Sequence, residues 1–564
     1  MKVLVLEGGA NEDDSGEAQF GGTESVVDAE EYLILEPRPD IDVLDCNSTS
    51  SRAAVRAAGF VAVGIVEHCC CNEFFNNVAN VTGSVHVADS TTTLRFGNVS
   101  SIGGDIVVPG EWWRAGVLES VDFESLRYIG GTVKISSGKL SSIDFSSLTM
   151  IGGSIVLPFN DITHVQFGAL LRIGGNLLLH DNLLTHVDFA RLTSIAGNIL
   201  LYQNAITALR FGALTHLDGS LYAQSNVLSA VDLQGIQHIQ GDFAVYDNVI
   251  THIHFAGLTH IGGSVYLGDN ALTSLNLSQV TVFRASFFAR SNQLTSVLFS
   301  DATTIFGELN LADNLLTRLD LSPVSRVGSL NLQNNFLTSL DLSSLTRIDS
   351  GVLLSKNRLT DVNFGTITGI SNTLDLSHNR FTAINFHRLT FVDFSLCVDH
   401  NALAHLDFAG ITRVGWALDV SNNNLRTISL ANLTVGYNMA LNNNMLSVVD
   451  FGQMTAARGS LNLAYNALTA VSLTNLRSIA TDLDLSHNPL KQLRFANQTR
   501  IGGSLHLTNT TLDTLDLSLV TSISSQVSVV RTDLTRVDCM QLGRCICADS
   551  STSLHHCPPR CDVC

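Results

Sequence analysis

Residues 177–198 read LLLHDNLLTHVDFARLTSIAGN, and this wording returns along most of the chain. It reappears as VYLGDNALTSLNLSQVT from Val265, as LNLADNLLTRLDLSPVS from Leu309 and as LNLAYNALTAVSLTNLR from Leu461. The shared pattern is L-x-L-x-x-N-x-L-T-x-L-D-F-x-x-L-T-x-I-G-G-S. Its asparagine stands at Asn160, Asn182, Asn204, Asn226, Asn248, Asn270, Asn292, Asn314, Asn335, Asn357, Asn379, Asn401, Asn423, Asn444, Asn466 and Asn488, in steps of 22 residues except two of 21. A period of that length means stacked coils. One coil offers about six large apolar side chains, worth roughly 2 kcal/mol each when buried. Ordering its backbone and side chains costs on the order of 30 kcal/mol. A lone coil therefore does not fold, whereas stacked coils cover each other's apolar faces and pair their backbones with both neighbours. In such a stack a buried Asn side chain is expected to bond the backbone of its own coil and of the adjoining one.

The motif L-x-L-x-x-N-x-L resembles the leucine-rich repeat, and the resemblance spans roughly residues 85–534. It implies a mainly β, single elongated solenoid of about twenty 22-residue coils with little helix. Within each unit L-T-x-L-D-F alternates with period two, which reads as a second short strand. The Ile-Gly-Gly corners that begin at Ile129, Ile151, Ile173, Ile261 and Ile501 leave no room for a helical turn. Strands on two sides joined by glycine corners resemble the L-domain solenoids of growth-factor-type receptors and fungal cell-surface proteins. The expected organisation is a non-repeat segment and cap over 1–82, the solenoid over 83–537 and a Cys-rich segment over 538–564.

Composition narrows the function. Net charge is −19 with 15% charged residues, which repels phosphate backbones and argues against nucleic acid as a partner. The apolar residues are spread periodically, and no run approaches the roughly 20 needed to cross a bilayer. The first six residues, MKVLVL, read like the start of a leader, but Glu7 interrupts the apolar run early. The extra residues around Trp112 and Trp113 are expected to loop out from one face.

Strand parity points to a surface. In L-x-L the outer two residues face inward, so the middle one faces out. That column reads Val156, Leu178, Leu200, Tyr222, Ala244, Tyr266 and Phe288, then Asn310, Asn331, Leu353, Asp375, Cys397, Asp419, Ala440, Asn462 and Asp484. Two positions on stand His180, Tyr202, Gln224, Tyr246 and Arg290. A continuous outer stripe of Leu, Tyr and Phe marks an interaction face, with Leu178, Leu200, Tyr202, Tyr222, Tyr246, Tyr266, Phe288 and Arg290 as candidate contacts. The competing readings are a stripe covered by the N-terminal segment or by a second copy, or plain β-propensity.

A threonine column runs through Thr163, Thr185, Thr207, Thr251, Thr273, Thr295, Thr317, Thr338, Thr360 and Thr382. Counted by parity it shares the inward side with the Leu and Phe of the second strand. It then reads as an internal hydroxyl ladder, not as an ice-binding array. His164, His186, His252 and His405 lie one residue on and face outward without carboxylate or Cys partners at ligand spacing, so no metal is expected from them. No phosphate-cradling glycine loop, nucleophile elbow or H-E-x-x-H occurs. The reading is non-catalytic and without a cofactor.

Cys539, Cys545, Cys547, Cys557, Cys561 and Cys564 crowd the last residues and read as up to three disulfides of open pairing. Zinc held by these cysteines with His555 and His556 is the rival account. The C-x5-C-x-C spacing resembles part of an epidermal-growth-factor-like module. Asn47, Asn80, Asn98, Asn276, Asn432, Asn497 and Asn509 stand in glycosylation sequons. Together these features describe a secreted or cell-surface recognition protein binding a protein or glycan along its main sheet. An intracellular scaffold or a self-associating matrix protein is the alternative.

Overall fold

The computed structural model describes residues 78–87, 91–108, 116–136, 138–301, 303–386, 388–408 and 410–538 together with Phe75. It adds the backbone of three strands, Val43–Asp45, Ile65–Glu67 and Ile546–Cys547. Strands are the only extended regular elements among the described residues. Each L-x-L forms a short strand of the main sheet. Leu177–Leu178 lies parallel between Ile155–Val156 and Ile199–Leu200, with Leu177 opposite both Ile155 and Ile199. The same in-register pairing repeats from Val85–His86 to Val527–Ser528. It also takes in Val43–Asp45 and Ile65–Glu67 before that span and Ile546–Cys547 after it. Ladder pairing uses backbone groups alone, so the sheet extends where the side-chain pattern has already faded.

The asparagine column lines up as the sequence demands. Asn226 Nδ2 shares its hydrogens among the carbonyls of Ala223 and Gln224 in its own coil and of Leu201 in the preceding one. Its Oδ1 accepts the Ile206 N–H of that preceding coil at 2.9 Å. The residue just before each of these asparagines is left-handed, with φ near +53° at Gln203, Ser225 and Asp247 alike. That turn aims the carbonyls inward at the amide, and the four bonds per coil offset the roughly 1 kcal/mol that a non-glycine left-handed residue costs.

The second strand forms as expected. His186–Asp188 places Val187 inward between two exposed neighbours and pairs with Ala208–Arg210. A third segment adds to the two sides read from the sequence. Tyr128–Ile129, Met150–Ile151, Arg172–Ile173 and Ser194–Ile195 pair in parallel just ahead of the glycine corner. The corner needs glycine because coils touch backbone to backbone there. A Cβ on Gly152 would strike the carbonyl oxygen of Gly130.

Inside, the Leu and Ile columns are joined by a file of stacked phenylalanines. Phe96, Phe123, Phe145, Phe167, Phe189 and Phe211 have neighbouring ring centroids 5.3 to 6.2 Å apart. Thr303–Asn310 and Val324–Asn331 run straight through the corner as eight-residue strands with register shifts. They accompany the first 21-residue step, from Asn314 to Asn335.

The threonines correct the parity count. Leu184 is buried, Thr185 and His186 both face solvent, and alternation resumes only at Val187. At Thr185 and its equivalents one residue ahead of the strand falls outside the alternation, which turns the column outward. It is still a hydroxyl ladder, but an external one. Thr207 Oγ1 donates to the Thr185 carbonyl at 3.0 Å and Thr295 Oγ1 to the Thr273 carbonyl at 3.1 Å.

Candidate docking face

The main-sheet strands place the middle residues of L-x-L side by side, one per coil. Leu178, Tyr222, Tyr266 and Phe288 form that outward column, and each is half-buried by its neighbours. Leu200 is only 9% exposed and Ala244 1%, so the stripe is a close-packed surface whose rings cover one another. Parallel strands a few ångströms apart leave no gap between consecutive side chains. Tyr266 and Phe288 stack with centroids 5.2 Å apart. The Tyr222 hydroxyl donates to Asp242 Oδ2 at 2.8 Å. Burial pushes the Tyr222 phenol up to about 12, and the Asp242 bond adds to the rise.

The flanking column is brought to the same face. His180 stacks on Tyr202 at 4.5 Å and bonds Asp181 through Nδ1 at 2.8 Å. Tyr246 and Arg290 are half-buried. Gln224 is 5% exposed, and its Oε1 has no hydrogen-bond partner. A buried acceptor of that kind is costly.

A second apolar column escaped the sequence reading. Leu183, Val227, Val249, Leu315 and Met445, each directly after a ladder asparagine, are 43 to 53% exposed. They are more open than the stripe and border it one turn away. The signal was present as an apolar residue in N-x-L, but neither period-two nor inward-facing logic applies at a turn.

The remaining candidates divide by position. Asn98, Asn276, Asn432, Asn497 and Asn509 are exposed, whereas Asn80 is half-buried with Oδ1 accepting the hydroxyls of Ser100 and Ser101. Asn47, Trp112, Trp113, His555, His556 and Cys539, Cys545, Cys557, Cys561 and Cys564 lie outside the described residues, and of Cys547 only the backbone is described. Cys397 is a free thiol, and burial pushes its pKa up. His164, His186, His252 and His405 are exposed. Another group was not foreseen. His378, Asp399 and His400 converge from two consecutive coils. Among the described residues no helix is long and apolar enough to cross a membrane.

Comparison with known proteins agrees with the repeat. Residues 198–317 match the BspA type leucine rich repeat region in six copies. No curated protein matches the chain. Among solved structures, YopM from Yersinia enterocolitica WA-314 is similar over 76% of this chain and 86% of its own, at 16% identity and a TM-score of 0.41. The functional domain of InlJ from Listeria monocytogenes is similar over 61% and 67%, at 19% identity and a TM-score of 0.34. The leucine-rich-repeat protein LIC12759 of Leptospira interrogans is similar over 67% and 95%, at 15% identity and a TM-score of 0.33. Residues 198–317 thus carry leucine-rich repeats, and the same asparagine ladder and parallel main sheet continue on both sides of them.

Proposed function

We propose that this is a non-catalytic recognition protein that binds a protein partner across the N-terminal half of its main sheet, from Leu178 to Arg290. The observation that carries the reading is the ordered outward file of Leu178, Tyr222, Tyr266 and Phe288. Rigid aromatics presented on a scaffold contribute contact area at low entropic cost. Glycan binding through the same rings and self-association are the outcomes that compete with a protein partner.

The test compares captured partners of the wild type with those of a triple variant, Tyr222→Asp, Tyr266→Asp and Phe288→Asp. A matched variant of the C-terminal half, Asp375→Asn with Asp484→Asn, serves as the control. Loss of a partner in the first and retention in the second supports the reading. Equal capture by all three proteins overturns it. Light scattering at rising concentration reports self-association, and glycan arrays report the sugar alternative.

The compartment we propose is the cell surface or the outside. The exposed sequons at Asn98, Asn276, Asn432, Asn497 and Asn509 favour it, as does the cysteine-rich C-terminal segment, for which we propose disulfides. The chain has 11 cysteines. Titration of the unreduced, denatured protein finding few free thiols supports an oxidising compartment, and a full complement of thiols favours the intracellular scaffold.

A further inference from the structure

We propose that His378, Asp399 and His400 form a binding site for a divalent transition cation of the zinc class, built across two coils. The three residues offer ligand atoms that all lie within 4.8 Å of one another. His378 Nε2 is 3.9 Å from Asp399 Oδ2, and His400 Nδ1 is 2.8 Å from the same oxygen. The two imidazoles stack in parallel, with centroids 4.1 Å apart and planes inclined by 12°. Zinc bonds of 2.0–2.2 Å in a tetrahedral site separate ligand atoms by about 3.3 Å. The two spacings to Asp399 bracket that value, and because both imidazoles are exposed, they can turn out of the parallel stack so that their in-plane lone pairs meet at one ion.

The backbone under the site is already fixed. His378 and His400 occupy the left-handed position ahead of ladder asparagines, each with φ of 51°. Asn401 Nδ2 donates to the Asp399 carbonyl at 3.0 Å, and the His378 N–H donates to that same carbonyl at 3.0 Å. The turn therefore holds His400 beside Asp399 while the coil spacing brings His378 over both. This is why only the stacked structure reveals the group. In sequence, His378 is more than twenty residues from its partners.

The surroundings favour a cation. Asp375 and Asp419 flank the site on the main sheet, and the carboxylates of Asp375, Asp399 and Asp419 all act on Cys397 between them. Among the described residues no arginine or lysine forms an ion pair with any of these three carboxylates. Two imidazoles and one carboxylate suit zinc, nickel and copper better than magnesium or calcium, which prefer all-oxygen sites. Three protein ligands leave a position for water or for a donor from another molecule.

The test uses the full chain with its accessible thiols alkylated, so that the cysteine-rich end does not compete for metal. Zinc ion alone is titrated by calorimetry, and cobalt ion is added for its visible ligand-field spectrum. Asn422 and Asn443 hold the same left-handed position in the next two coils with φ of 53°. The double variant His378→Asn with His400→Asn is thus expected to fold normally, which circular dichroism verifies. The wild type is expected to take up zinc at a single site, and the double variant to weaken it by more than about 100-fold. Asp399→Asn is expected to weaken it in the same direction, and His186→Asn to leave it unchanged. Equal zinc uptake by wild type and double variant overturns the proposal. So does an equal loss in His186→Asn, which would mean diffuse binding to surface histidines.

Discussion

From Val156 to Phe288 the outward column of the main sheet is apolar, and from Asn310 onward it is mostly amide and acid. Beneath that column the two halves are built alike. Asn226 and Asn488 make the same three donations to carbonyls and accept the same N–H from the preceding coil. The polar residues, however, have a local task. Asn310, Asp375, Asp419, Asn462 and Asp484 each accept the backbone N–H two residues on, at 2.9 to 3.1 Å. Tyr222, Tyr266 and Phe288 have no side-chain acceptor so placed, and their contacts are instead with neighbouring coils, Tyr222 with Asp242 and Tyr266 with Phe288. The polar half serves the fold locally, whereas the apolar half is where we propose that a partner docks.

The first way to break this comparison is at the shared scaffold. Asn226→Ala and Asn488→Ala each orphan one backbone N–H, of Ile206 and Leu468, and take one donor from three carbonyls, most of which keep a second, at a cost of about 2–4 kcal/mol. Urea unfolding is expected to show equal losses in both halves; a gap above about 1.5 kcal/mol between them would mean that the scaffolds differ. Next come the outward columns. Phe288→Ala removes the stack on Tyr266 and is expected to cost about 1–2 kcal/mol. Asn462→Ala loses one local hydrogen bond and is expected to cost about 0.5–1 kcal/mol. Thermal melts of the pair check that order.

The Tyr222 phenol sharpens the picture through pH. Its native pKa is raised to about 12 from 10.0, so the folded state keeps a proton that the unfolded state has released. The stabilisation is fully present below pH 10 and is lost as pH rises towards 12. Absorbance titration at 295 nm is expected to show one late-ionising tyrosine, absent in Tyr222→Phe. The smallest effect belongs to the threonine column. Thr207→Val removes an external donor to the Thr185 carbonyl and is expected to destabilise by about 0.5–1 kcal/mol. An inward threonine would instead gain stability from the same exchange, so the sign of the change tests the column's orientation.

Legibility followed periodicity. The L-x-L strands, the asparagine ladder and the inward Phe or Leu of the second strand recur in most coils, and each has one geometry that repeats with it. The threonines are legible as a ladder but not as an outward one, because the residue ahead of each second strand falls outside the alternation and leaves no mark in composition. The third strand at Met150–Ile151 and its equivalents was hidden by its two-residue length. Leu183, Val227 and Val249 were passed over because turn positions obey neither alternation nor core logic.

By itself the sequence determined that coils of one length stack in register, since only neighbours with the same pattern can bury those leucines and satisfy those asparagines. It also determined which residues of each strand face outward. The tertiary structure alone decided how far the stripe is covered, which face the threonines take, and that His378 meets Asp399 and His400. Those outcomes depend on side chains in different coils and on turns that repeat without a distinctive residue. They exist only once one coil lies on the next.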